Sequence, residues 1–140
     1  MTEKETMELI RRRHEGFTGY CGLVIDEAAA GACRAHVELQ PHHLNPRGAV
    51  HGGLLSTLLD VTAGTAAIVA FDPPRWAVTQ SADVHYLRPA LGSRLTAQAK
   101  TVKAGRSVAY VQAEVYDEEG TLVTAGSFEM FYVDKGPAKA

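Results

Sequence analysis

Between Asn45 and Phe71 the chain reads NPRGAVHGGLLSTLLDVTAGTAAIVAF, its one stretch long and apolar enough for a core helix. Residues 52–70 carry Leu, Val, Ala and Ile around nearly the whole helical circumference. Such a helix has to be surrounded rather than laid on a surface. Asp72, Pro73 and Pro74 close it, because proline cannot continue a helix and disfavours helical geometry in the residue before it. A single carboxylate, Asp60, stands in the middle of this run. Burying an unpaired charge costs several kcal/mol, so the acid needs a reason to be there.

Everything after the helix alternates in the manner of strands. Residues 76–87, 94–102, 107–116 and 122–133 are rich in Val, Tyr, Phe and Thr, with breaks at RPALGS, KAGR and DEEG. Two further strands precede the helix, around a turn near residues 28–31; in the second, Ala35, Val37 and Leu39 alternate with Arg34, His36, Glu38 and Gln40. A short helix over 3–15 opens the chain, with Met7, Leu9 and Ile10 on its apolar edge and Gly16 and Gly19 at its end. The plan is α+β: about six antiparallel strands curled around one long helix. It divides into a helical extension (1–16), a main domain (17–134) and a frayed tail (135–140).

Composition narrows the function. At 140 residues the chain makes one domain with a proper core, and 46% apolar and 21% charged residues are ordinary for a globular protein. A formal charge of −2 gives no reason to expect a nucleic acid or an acidic membrane as partner. The opening MTEKETMELIRRRHEGF has no signal-type apolar core. Residues 48–71 approach membrane-spanning length, but His51, Asp60 and four glycines argue for a buried helix instead, and no membrane partner is expected. Cys21 and Cys33 are too few for a disulfide scaffold; a cytoplasmic location with free thiols is expected, a bridge between neighbouring strands being the alternative.

The helix start and the acid suggest chemistry. The first turn of a helix has free N–H groups and partial positive charge, and the glycines of His51-Gly52-Gly53 allow close approach. Such a turn binds an anion, polarises a carbonyl, or merely makes a tight loop. Asp60 shares a face with Gly53 but lies seven residues on, about 10 Å along the axis. General-base chemistry needs heavy atoms near 3 Å, or one water apart. If both features serve one reaction, the acid comes from another copy of the chain, with two helices antiparallel across a two-fold axis.

Asn45, then GAVHGG at 48–53, then Asp60 on the following helix resembles the hotdog-fold acyl-CoA thioesterases of the phenylacetate-pathway (PaaI-like) family. TQSADVHYLRPA and AGRSVAYVQAEVYDEEGTLVTAGSFEMFY are similar to that family's strands. The resemblance covers about residues 18–133. It implies an acyl-CoA substrate with coenzyme A entering as part of it and no separate cofactor, and a homodimer paired again into a homotetramer. By position, Gly53, with Gly52 nearby, would donate its N–H to the thioester oxygen. Asp60 of the facing subunit would activate water or attack the carbonyl directly. Asn45 and His51 would orient the thioester and the helix start, and Thr79 would help place Asp60 or the water.

Strand parity puts Thr79, Ser81, Asp83 and His85 on one face and Val78, Gln80, Ala82, Val84 and Tyr86 on the other; a polar face suits a lined tunnel and equally suits solvent. Coenzyme A phosphates need cations, for which Arg88, Lys103 and Arg106 stand at strand ends and turns, with Gly105 allowing close approach. Trp76, Tyr86, Phe128 and Phe131 are candidates for an aromatic acyl pocket or for plain core. Against this reading stand a metal site from His42, His43, His51 and Asp60, which lacks a usual ligand spacing; a cysteine nucleophile without a matching His arrangement; a hotdog enoyl-thioester hydratase, whose His and acid are spaced differently; and a non-catalytic acyl-CoA-binding module.

Overall fold

The computed structural model describes residues 1–133, so the tail assigned to 135–140 lies outside the described residues. Helix α1 (Glu3–Arg13) is capped by Thr2, whose hydroxyl accepts from the Glu5 amide at 3.1 Å. Glu3 and Glu5 in its first turn and Arg11, Arg12 and Arg13 in its last complement the helix dipole. Fully buried Ile10 and the Arg11 guanidinium, which donates to the Ile25 carbonyl at 3.3 Å, dock it on the domain. One helical turn, α2 (Phe17–Tyr20), follows between the two elements expected from the sequence.

Strands β1 (Leu23–Ala29) and β2 (Ala32–Glu38) form a hairpin. Its two turn residues, Ala30 and Gly31, both have positive φ, at 50° and 80°, which matches the twist of the flanking strands. After a 3-10 turn at Pro41–His43 comes the long helix α3 (Gly52–Ile68), then β3 (Ala77–Tyr86), β4 (Arg94–Ala104), β5 (Val108–Tyr116) and β6 (Leu122–Tyr132). All pairings are antiparallel, in the order β1-β2-β4-β5-β6-β3. The sheet curls around α3, giving the expected hotdog architecture. Leu58 and Leu59 of the helix meet Leu95, Val111, Val115, Phe128 and Met130 of the sheet in the core.

Two expectations change. First, α3 is not enclosed all round. Leu54, Leu55, Leu58, Leu59, Thr62, Ala63 and residues 65–68 are buried, while Gly53, Ser56, Thr57, Asp60, Val61 and Gly64 form a stripe that the sheet leaves uncovered. Asp60 is therefore half-buried on an open face, because Ser56, Thr57 and Asp60 recur at helical spacing on that one stripe, whereas Thr62 and Thr65 are buried with their hydroxyls donating to the Leu58 and Val61 carbonyls of their own helix.

Second, β3 carries a bulge at Gln80, between Thr79 and Ser81. An extra residue in one strand reverses the side-chain parity beyond it. Thr79 pairs with Met130 and Ala82 with Phe128, both core residues, so Thr79 faces the helix together with Ala82, Val84 and Tyr86. Ser81, Asp83 and His85 face outward. Strand β3 pairs only with β6 and forms an edge of the sheet.

Candidate active site

The site is organised by the start of α3. His51 is the N-cap residue, with extended φ and ψ of −62° and 133°, and its Nδ1 accepts from the Gly53 amide at 2.8 Å. That bond places the imidazole proton of a neutral His51 on Nε2. A Cβ added to Gly53 would stand 2.9 Å from His51 Nδ1, so this glycine makes room for the imidazole. The Gly53 N–H expected to meet a carbonyl is thus already engaged. The Gly52 N–H, one residue earlier, has no acceptor among the described residues.

The segment leading into the helix is pinned from three sides. The His51 amide donates to the His43 carbonyl at 2.8 Å and the Val50 amide to the Ala90 carbonyl at 3.0 Å. The buried His43 ring accepts from the Gln40 amide at 2.9 Å through Nδ1, so its Nε2–H donates to the Cys21 carbonyl at 2.8 Å. Both nitrogens are committed to the backbone, which leaves His43 no lone pair for the metal reading. Asn45 builds the preceding loop: its Oδ1 accepts from the amides of Arg47 at 2.9 Å and Ala49 at 3.2 Å. Its Nδ2 hydrogens are what it can still offer a ligand.

Asp60 is held from β3. Thr79 Oγ1 donates to Asp60 Oδ1 at 2.5 Å; the Met130 sulfur lies 3.4 Å from the same hydroxyl and is the weaker acceptor. Asp60 and Gly52 are eight positions apart on α3, about 12 Å along the axis. One chain therefore contains both halves of a polarising and proton-accepting centre, too far apart to act on one carbonyl.

The cationic candidates separate. Arg88 follows β3 near the beginning of α3, its amide 3.3 Å from the Val123 carbonyl. Lys103, Gly105 and Arg106 lie in the β4–β5 hairpin, which joins the opposite end of the helix: Arg75 donates to the Arg106 carbonyl at 3.0 Å, while the Arg75 amide reaches the Ile68 carbonyl at 3.2 Å. The 17-residue helix is about 25 Å long, so the two groups cannot grip one nucleotide within one copy. Gly105 serves its hairpin, since a Cβ there would stand 3.2 Å from the Val108 carbonyl.

The aromatic candidates separate too. Phe128 is core at 2% exposure, Phe131 points outward from the sheet at 44%, and Trp76 lies beneath the Arg13 guanidinium, 5.4 Å from the ring centre. Tyr86 alone faces the helix start, with Gly52 against its ring and its hydroxyl hydrogen-bonded to Ser56. Ser56 is not among the site residues expected from the sequence, where it serves only, with Thr57, as a possible donor to a buried Asp60; the structure bonds it to Tyr86 and gives Asp60 to Thr79.

The model of the thioesterase superfamily matches residues 47–124. A candidate esterase of Halobacterium salinarum is 33% identical over 132 residues, covering 85% of this chain and 87% of its own. Human acyl-coenzyme A thioesterase 13 is 28% identical over 117 residues, covering 82% and 81%. Among solved structures, a single-residue variant of the phenylacetic acid degradation protein PaaI from Thermus thermophilus superposes with a TM-score of 0.75 at 30% identity, over 84% of this chain and 98% of that one.

Proposed function

This chain belongs to the thioesterase superfamily, and we propose that it hydrolyses acyl-CoA thioesters at centres shared between two copies of itself. It is a thioester hydrolase; its relatives include a named acyl-CoA thioesterase. The thioester carbonyl accepts the Gly52 N–H at the positive end of α3, where negative charge develops on the oxygen. Asp60 of the facing copy takes a proton from water, whose oxygen attacks the carbonyl carbon. The tetrahedral intermediate collapses with cleavage of the C–S bond, and the departing thiolate takes up a proton to leave as coenzyme A. His51 holds the first turn in shape through Gly53, and Asn45 has its Nδ2 hydrogens available to the thioester or water. Coenzyme A enters with the substrate, so no separate cofactor is required.

The observation that carries this reading is Asp60 itself: an acid on the uncovered stripe of α3, aimed by Thr79 and out of range of its own helix start. A two-fold pairing that sets two such stripes antiparallel completes both centres at once. The edge strand β3 offers the place for it, and a dimer of such dimers would make the homotetramer. Arg88 of one copy and Lys103 and Arg106 of the other would then flank a common nucleotide. A reducing, cytoplasmic setting suits the free thiols of Cys21 and Cys33; no described helix is long and apolar enough to cross a membrane.

Thiol release from acyl-CoA by the wild type and by Asp60→Asn tests the reading. Hydrolysis by the wild type that is lost in the variant, with acyl-CoA binding retained, supports it. Binding without turnover in both proteins would instead identify a binding module.

A further inference from the structure

Tyr86 is an inward-facing aromatic that the fold does not use up. Its ring lies beside Gly52, where an added Cβ would stand 3.4 Å from Cε1, and its hydroxyl is hydrogen-bonded to Ser56, yet 54% of the residue stays exposed. Gly52, Ser56 and Asp60 follow one another at i, i+4 and i+8, so they lie near one edge of α3. Ser56 thus holds the ring upright between the unengaged Gly52 amide and the next turn of the helix. Partner Thr124, opposite Tyr86 on β6, is fully buried, which makes the base of the ring a fixed part of the sheet.

We propose that Tyr86, held by Ser56, is a specificity-determining wall for the acyl carbons next to the thioester carbonyl. The inference rests on the thioesterase reading above and deepens it. A carbonyl whose oxygen meets the Gly52 N–H brings its α-carbon alongside this ring. The rest of the stripe, Gly53, Thr57, Val61 and Gly64, offers no cation, so the charged nucleotide has nothing to pair with there, whereas an acyl group does find apolar contact. The ring therefore limits bulk at the first acyl carbons. Straight chains pass along its face, while branching at the α-carbon meets its edge.

The test compares kcat/KM for butyryl-CoA and for isobutyryl-CoA, which differ in branching at that carbon. This ratio is unaffected by the fraction of protein that is folded. Tyr86→Ala should shift it toward isobutyryl-CoA by about tenfold, within the range a misfitting methyl group commands. Tyr86→Phe and Ser56→Ala should shift it the same way by less, and the double variant Tyr86→Phe/Ser56→Ala should shift it no further than either alone, since both break one contact. Inhibition by free coenzyme A should stay as in the wild type. A ratio in Tyr86→Ala within about twofold of the wild type, well below that range, would overturn the wall while leaving the thioesterase reading intact. A wild type that releases thiol from neither ester, nor from any other acyl-CoA offered, would sink that underlying reading and the wall with it.

Discussion

Thr79 and Asp60 are joined across the helix–sheet boundary, the threonine hydroxyl donating to the carboxylate at 2.5 Å. The bond exists because the bulge at Gln80 keeps Thr79 on the helix side of β3 while the rest of the strand retains its pairing with β6. It aims an acid that the helix alone would leave to rotate among its rotamers.

Replacing Thr79 by Val keeps the shape and removes the donor. A hydrogen bond to a charged group contributes about 1.5–3 kcal/mol, so kcat should fall about 10- to 100-fold with little change in KM. Thr79→Ser should retain most of the activity. Steady-state kinetics on a single acyl-CoA checks both.

Gly52 and Gly53 should respond differently to substitution. Gly52→Pro removes the unengaged N–H at the first helical position, where proline is well tolerated and where His51 already has the extended backbone a following proline requires. Thermal stability should change little while kcat falls by about 100-fold or more, the usual loss for an oxyanion donor. Gly53→Ala instead drives a Cβ against His51 Nδ1 and disrupts the cap, costing about 0.5–2 kcal/mol of stability. Melting curves and kcat measured together separate the two effects.

The two cysteines should differ sharply in reactivity. Cys33 is 4% exposed, and burial, assisted by the nearby negative charge of Asp26, pushes its thiol up to about 12. Cys21 is half-buried. Under native conditions at mild alkaline pH, an alkylating agent should modify Cys21 first and reach Cys33 only on unfolding, as intact mass against time would record.

Burial lowers the pKa of His14 from its ordinary 6.5, and its Nδ1 is buried without a partner. The folded state therefore disfavours the proton that the unfolded chain accepts. Stability from this group is full above pH 6.5 and declines as the pH falls below that value toward the lower folded pKa. Denaturant melts at several pH values should show this loss in the wild type and a shallower one in His14→Gln.

The helix and the strands were legible because their signals are local. An apolar run opened by two glycines and closed by Asp72-Pro73-Pro74 leaves little choice, and alternating Ala35, Val37 and Leu39 can only be a strand with one face inward. The hidden parts depend on distant contacts. Strict alternation put Thr79 and Tyr86 on opposite faces, and one extra residue at Gln80 puts them on the same one. Gly53 looked like the amide waiting for a ligand, but the lone pair of His51 two residues away takes it. Arg88 and Arg106 are equivalent strand-end cations in sequence, but the hairpin at 103–106 is tied through Arg75 to the far end of α3.

Mixing two inactive variants tests most directly whether two copies share each centre. Asp60→Asn keeps a working helix start, and Gly52→Pro keeps a working acid. After unfolding and refolding at equal concentrations, half of the two-fold pairs should be mixed, each with one of its two centres intact. Thiol release should then recover to about one quarter of the wild-type rate. Activity that stays at the sum of the two separate variants would contradict the shared centre.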